Sequence, residues 1–452
     1  MVSIPEGVRE LWYSVFSCHN NIEKVIVPAS CVIIQDSALY GLKPSVYFEV
    51  SKDNPKYRSE NGCLVDKETT TLIRAMVGAV IPDDGSITKI GDEAFKDHDE
   101  IICLNIPNTI VEIGSSAFEN CKNLESVSIP ETVVKLGSRA FYHCRALSSV
   151  QLPKNGLSVI GYCAFYGCSN LTSIDLPDSI IRLQGNAFSE CEKLGAVKLP
   201  AAISKLESCL FRGCNNLAHI TIPNSIKVIG DHAFQDCTRL TEINIPESVV
   251  EIGEGSFIRC ESLSNVILPS SVIEIGRWAF SGCKSLVNIR IPESVAFVDE
   301  HMFYNCEALE TVELPPQLTM IPASMFEECH KLTSINLPNA VTKIGSSAFS
   351  RCRALTTIEI PATTKKIESS AFFNTGLTGS LYIPESVKII GDRAFASCEQ
   401  LREVNIPDIF TGEGVRIFGA NLIPKENNIS EIDQEELAAS ESRNTFNDLL
   451  PF

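Results

Sequence analysis

Ile113-Gly114-Ser115-Ser116-Ala117-Phe118-Glu119-Asn120-Cys121, followed by Leu124, Val127, Ile129 and Pro130, is the stretch that decides the fold, because it returns almost verbatim along the chain. Its relatives include Ile229-Gly230-Asp231-His232-Ala233-Phe234-Gln235-Asp236-Cys237 and the segment Ile344 to Cys352. The prolines keep the count. From Pro200 they recur at Pro223, Pro246, Pro269, Pro292, Pro315, Pro338, Pro361, Pro384 and Pro407, each 23 residues after the last. A chain of 452 residues is long for one globular domain, and this period makes it a single array that grows by repetition.

Within a unit, Val127 and Ile129 alternate with Ser126 and Ser128, the period of two of a strand with one buried face; Pro130, lacking an amide proton, ends it. The Ile-Gly-x-x-Ala-Phe-x-x-Cys segment is too short for a lone helix and reads as a tight turn carrying one helical or 3₁₀ turn that plants Ala and Phe inward. One unit cannot bury its own Phe. Parallel stacking does so, placing Phe95, Phe118, Phe141 and their successors to Phe395 in one column. The expectation is a mainly β solenoid with parallel strands on one face and short helical or 3₁₀ turns; about 18 coils at a strand spacing of ~4.8 Å give a rod roughly 85 Å long. Gly91, Gly114 and Gly137 recur at the turn, yet Pro322 holds the same place in its own unit, so close packing explains these glycines better than left-handed backbone.

The unit Ala-Phe-x-x-Cys-x-x-Leu-x-x-Ile-x-Ile-Pro resembles that of the BspA-like leucine-rich repeat family over roughly residues 1 to 420. The resemblance implies a leucine-rich repeat solenoid, and a characteristic insertion at residues 46–81, where the strict repeat breaks. Residue chemistry agrees on that insertion: Asn61-Gly62 is a hairpin-turn pair between Lys56-Tyr57-Arg58 and Cys63-Leu64-Val65, so a β-hairpin protruding from one coil is expected. The resemblance further implies a surface or secreted microbial protein acting in adhesion and binding.

Lys and Arg number 38 against 56 Asp and Glu, a net charge of −18 that repels nucleic acid and anionic membrane surfaces. No run of 18 apolar residues suggests a membrane span. Of 18 cysteines, twelve hold one repeat position, from Cys121 to Cys352 and at Cys398, with His98 and Thr375 replacing cysteine in two units. Equivalent side chains in a stack point the same way, so a ladder of buried reduced thiols is expected, with neither disulfides nor a metal. No phosphate-loop, dinucleotide, nucleophile-elbow or zinc-protease motif is present, so no catalytic residue and no cofactor is assigned and the protein reads as non-enzymatic.

Function therefore falls to surface. The outward strand positions form a polar ribbon, in which His219, Asn244, Asn265, Ile267, Asn288 and Arg290 are the candidate protein-binding residues; an exposed Ile beside Arg is the pairing that anchors interfaces. Tyr57 and Arg58 on the hairpin are a second candidate. Ser and Thr two residues after the repeat proline, such as Thr132 and Ser271, read as turn caps. The solenoid is expected over residues 1–423. Residues 424–452, with seven acids against Lys425 and Arg443, form an acidic C-terminal tail, either solvated or carrying a short helix over the last coil. Val2, Ile4 and Pro5 already belong to a repeat strand, which leaves the first coil open to self-association. The expected partner is a protein: a host matrix or cell-surface component for an exported adhesin, as the resemblance implies, or an intracellular partner for a scaffold of the same fold, as free thiols and an N-terminus without signal-peptide character suggest.

Overall fold

Each unit makes one turn of a solenoid and is tied to the next by backbone hydrogen bonds on three sides. The computed structural model describes residues 1–17, 19, 21–35, 38–410 and 414–419. It is a parallel β-solenoid of about 17 turns, close to the 18 expected. On the first side run the longer strands, Ser126–Ser128 beside Ser149–Gln151, in parallel register Ser126↔Ser149 and Val127↔Val150. Val127 is buried between exposed Ser126 and Ser128, as the alternation requires. On the second side are two-residue strands such as Glu112–Ile113 and Lys135–Leu136, whose Ile113 and Leu136 point inward.

The third side corrects the sequence reading. The Ala-Phe segment contains no helical turn; among the described residues helix is confined to Asp408–Phe410 and Gly414–Phe418. It is instead a chain of tight turns in which alternate amides bond along and across the chain. Ala94, Lys96 and His98 donate to the carbonyls three residues back, while Glu93, Phe95 and Asp97 donate to Ser115, Ala117 and Glu119 of the next coil at 2.9, 2.7 and 2.8 Å. A helical turn would spend those sideways amides within its own coil. The cost is left-handed backbone at Glu93 and Asp97, φ 56° and 63°, repeated at Ser116 and Asn120 and onward through the array. The recurrent glycine is not one of these positions: a Cβ on Gly137 would lie 2.4 Å from the Gly114 carbonyl carbon, so close packing selects it.

The interior is the stack the period predicted, extended by one ring. Phenylalanines from Phe95 to Phe418 lie face to face with centroids 5.1 to 5.9 Å apart. Beside them the twelve thiols each donate to the Phe carbonyl of the preceding coil, at 3.1 to 3.3 Å, as Cys121 does to Phe95 and Cys283 to Phe257. Each sulfur therefore bonds backbone, and the described cysteines are all free. Burial pushes the Cys191 and Cys237 thiols well above the usual range. Thr375 turns its hydroxyl to its own coil, bonding Phe372 O, and to Cys398 Sγ of the next, at 3.1 Å each. Four of the hydroxyls two residues after the proline are staples between coils rather than caps of their own turns, as Thr132 Oγ1 donating to Ile110 O at 2.6 Å and Ser271 Oγ to Val249 O at 2.6 Å; those of Thr109, Ser225, Ser248 and Ser386 are buried without a hydrogen-bond partner.

The insertion does not protrude. Tyr57–Glu60 and Cys63–Asp66 form the expected antiparallel hairpin, but Cys63–Asp66 also pairs antiparallel with Thr71–Ala75, which continues parallel into Lys89–Ile90 of the second ribbon. All four residues of Cys63–Asp66 are buried. Cys63 and Val65 face the main core, whereas Leu64 belongs to a separate cluster with Phe16, Val25, Val46, Phe48 and Met76. A strand buried on both faces is a partition, which is why its sequence lacks alternation. Residues 420–423 of the expected solenoid and the acidic tail 424–452 lie outside the described residues.

Candidate functional site

The repeat places one outward residue on each side of every buried strand centre, so the ribbon carries two columns of side chains. His219, Asn265 and Asn288 stand in the first, with Glu242 between; Asn244, Ile267 and Arg290 stand in the second, followed by Glu313. The registers Asn244↔Ile267, Asn265↔Asn288 and Arg290↔Glu313 fix this order. Six of the eight residues singled out from sequence thus share one contiguous surface.

The other two do not. Tyr57 is 3% exposed and its hydroxyl accepts a hydrogen bond from the Ile34 amide at 2.9 Å, so it locks the insertion onto the preceding coil. Arg58 is half-buried, with Nη2 donating to Ser86 O at 3.3 Å. Both are packing residues; the aromatic and basic character of the hairpin suggested contact, but the strand order turns it inward.

Ile267 is 67% exposed, flanked by polar Asn244 and cationic Arg290. The ion pairs on this face are open ones: Arg290 Nε lies 3.3 Å from Glu313 Oε2, and His219 Nδ1 lies 3.8 Å from Glu242 Oε1, each with both side chains mostly in solvent. Such pairs contribute about 0–1 kcal/mol and exchange readily for contacts with a partner. Around His219 the strand pairing thins to single bridges, Lys198↔Thr221 and Thr221↔Asn244. With small Ala196 below, this opens a shallow trough of about 730 Å³ lined by Asp175, Lys198, His219, Thr221, Asn244 and Ile267. Sequence reading missed its Asp175–Lys198 half, although Ala196 between larger neighbours marks the dip.

Among the described residues no group of three or more His, Cys, Asp or Glu is arranged to hold a metal, and no helix is long and apolar enough to cross a membrane. The chemistry this surface offers is hydrogen bonding from Asn, Thr and His, one exposed aliphatic anchor and paired charges. That is recognition chemistry.

A family model described as BspA type leucine rich repeat region, in six copies, matches residues 1–57, 88–218, 210–332, 250–378 and 319–448. The unmatched residues 58–87 are the antiparallel insertion and its exit. The crystal structure of a leucine-rich repeat protein from Bacteroides ovatus is similar with a TM-score of 0.69 at 31% identity, over 81% of this chain and 96% of its own. That of a leucine rich cell surface protein from Faecalibacterium prausnitzii is similar with a TM-score of 0.53 at 25% identity, over 82% of this chain and 100% of its own. No curated protein matches the chain.

Proposed function

The chain belongs to the BspA-type leucine-rich repeat family, and on that premise we propose that it is a non-enzymatic scaffold whose first ribbon binds protein, in the setting of a microbial surface or secreted adhesin. The observation that carries this reading is Ile267, exposed between Asn244 and Arg290 at the rim of the trough. A solvent-facing aliphatic side chain beside Arg is not chosen for folding a polar ribbon, and it is the composition of an interface centre. The surface setting draws on the similar Faecalibacterium prausnitzii protein, which is described as a cell surface protein.

A second setting, an intracellular scaffold using the same ribbon, is favoured by one feature. Cys103 is an exposed free thiol, ordinary in a reducing compartment and reactive outside it. Protease shaving of intact source cells, followed by mass spectrometry, separates the settings: peptides released from unbroken cells place the chain outside, and recovery only after lysis places it inside. The binding face is tested on purified extracellular-matrix proteins with Ile267→Glu combined with Arg290→Glu. Binding should fall about tenfold or more with the thermal midpoint unchanged; equal affinity would remove this face from the proposal.

A further inference from the structure

In the first coils beyond the insertion the second ribbon sets opposite charges in register, Lys135 beside Glu112 and Glu112 beside Lys89. Near the C-terminal end of the array lysines stack instead. Lys343 stands in register with Lys366, and Lys366 with Ile389. Lys365 and Lys388 occupy the neighbouring column, the Lys388 amide bonding Lys365 O at 2.9 Å. Like charges opposed across a ladder are destabilising, and here two columns of them lie side by side. One carboxylate answers four ammonium groups: Glu368 Oε1 is 3.0 Å from Lys343 Nζ and 2.8 Å from Lys366 Nζ. Lys388 Nζ donates to the Glu385 backbone carbonyl at 2.8 Å, and among the described residues neither Lys365 nor Lys388 has a carboxylate within ion-pair distance. Beside them Ile389 is 51% exposed. In a chain of net charge −18, this is a cationic platform with an apolar centre, lacking its counter-charge.

We propose that residues 424–452 of this same chain dock on the Lys343, Lys365, Lys366 and Lys388 platform. Those residues carry seven acids against two bases, and their densest stretch, Glu431-Ile432-Asp433-Gln434-Glu435-Glu436-Leu437, interleaves acids with aliphatic residues as the platform surrounds Ile389 with lysines. Reach is sufficient. Lys343 lies three coils before the one that ends at Phe418, on the order of 15 Å along the stack. A chain of that length spans about 30 Å. Acid on Lys365 and Lys388 removes the like-charge penalty and covers Ile389.

Zero-length carbodiimide cross-linking of the full chain, with peptide mapping of the monomer, tests this. Links from Lys365 or Lys388 to carboxylates within 431–441 are expected. They should fall about tenfold in Lys365→Glu/Lys388→Glu and again in about 0.5 M salt. The Lys343 to Glu368 link, already in contact, reports that the array is folded and the reagent active. The variant Glu431→Gln/Asp433→Asn/Glu435→Gln/Glu436→Gln leaves the array untouched and should give the same loss through its remaining Glu441. Three results would overturn the proposal: no tail link while the control link forms; links found only between molecules, for instance to Glu251 and Glu274, which face each other on the same ribbon; or retention of the wild-type chain on an immobilised sulfated polysaccharide through Lys365 and Lys388 with no tail link, which would give the platform to an external polyanion.

Discussion

The N-terminal coils and the array beyond the insertion are built from one repeat yet hold together differently. From Phe95 to Phe418 every coil adds one ring to a continuous column, and the thiol rungs run with it. Before the insertion the column is replaced by a small cluster around Phe16, Leu39 and Phe48, with Cys31 its one buried cysteine among the described residues. The two interiors never merge; Cys63–Asp66 stands between them, sending Leu64 one way and Cys63 and Val65 the other. Arg74 clasps the same boundary, its buried guanidinium donating to Leu42 O at 2.8 Å and to Glu93 O at 3.2 Å. In a one-dimensional stack, stability is nearest-neighbour coupling, and the insertion replaces one coil-to-coil contact with a strand shared by two cores.

The sharpest way to break the comparison is to remove one ring from each side. Phe234→Ala deletes a fully buried side chain stacked between the rings of Phe211 and Phe257. It should cost about 3–5 kcal/mol by chemical denaturation, with hydrogen exchange rising first in the coils on either side. A loss spread evenly from residue 87 to residue 410 would mean that the array does not behave as coupled neighbours. Leu64→Ala is the matching cut at the partition. About 3 kcal/mol is expected, felt by residues 1–76 while the coils around Phe234 keep their protection. Equal deprotection of both regions would merge what the structure separates.

The same contrast marks how far sequence could be read. In the array the period fixed strand, turn, column and ladder at once, because every position is tested many times: Pro322 in a glycine place ruled out a handedness role, and His98 and Thr375 in cysteine places ruled out pairing. Even the turn backbone was visible in principle, since the places before Ala and before Cys accept Gly255, Gly167, Gly213 and Asn120, residues that tolerate left-handed φ. The insertion occurs once and has no such averaging. Asn61-Gly62 announced a hairpin, but Cys63-Leu64-Val65-Asp66, buried on both faces, has no alternation to say where it points. Tyr57 was legible as aromatic and not as buried, because its burial depends on a coil 23 residues earlier supplying the Ile34 amide. The two outward columns followed from the period; the trough did not, since it comes from a ladder that thins at Thr221.

The smallest effect sharpens the boundary by pH. His98 opens the thiol ladder, with 1% of its side chain exposed, Nδ1 2.6 Å from Glu100 Oε1 and its ring edge-on to Phe95. Burial holds its pKa below the usual imidazole value, Glu100 opposing that shift and the Arg74 cation adding to it, while Glu93 and Asp97 act on Arg74 itself. A depressed folded value means that the unfolded chain binds the proton first. The stabilising contribution is therefore whole above the ordinary imidazole pKa of about 6.5 and is lost as pH falls from there through the folded value. His98→Cys, which restores the rung that Cys121 fills one coil later, should flatten this acid limb by less than either core substitution changes stability at neutral pH. Exchange of the amides around Arg74 should show it before exchange in the mid-array does, because protonation sets a second cation beside a guanidinium that holds the two regions together. An acid limb unchanged by His98→Cys would assign the loss to His143 and His301, whose values burial also lowers, and move the acid-sensitive point into the array.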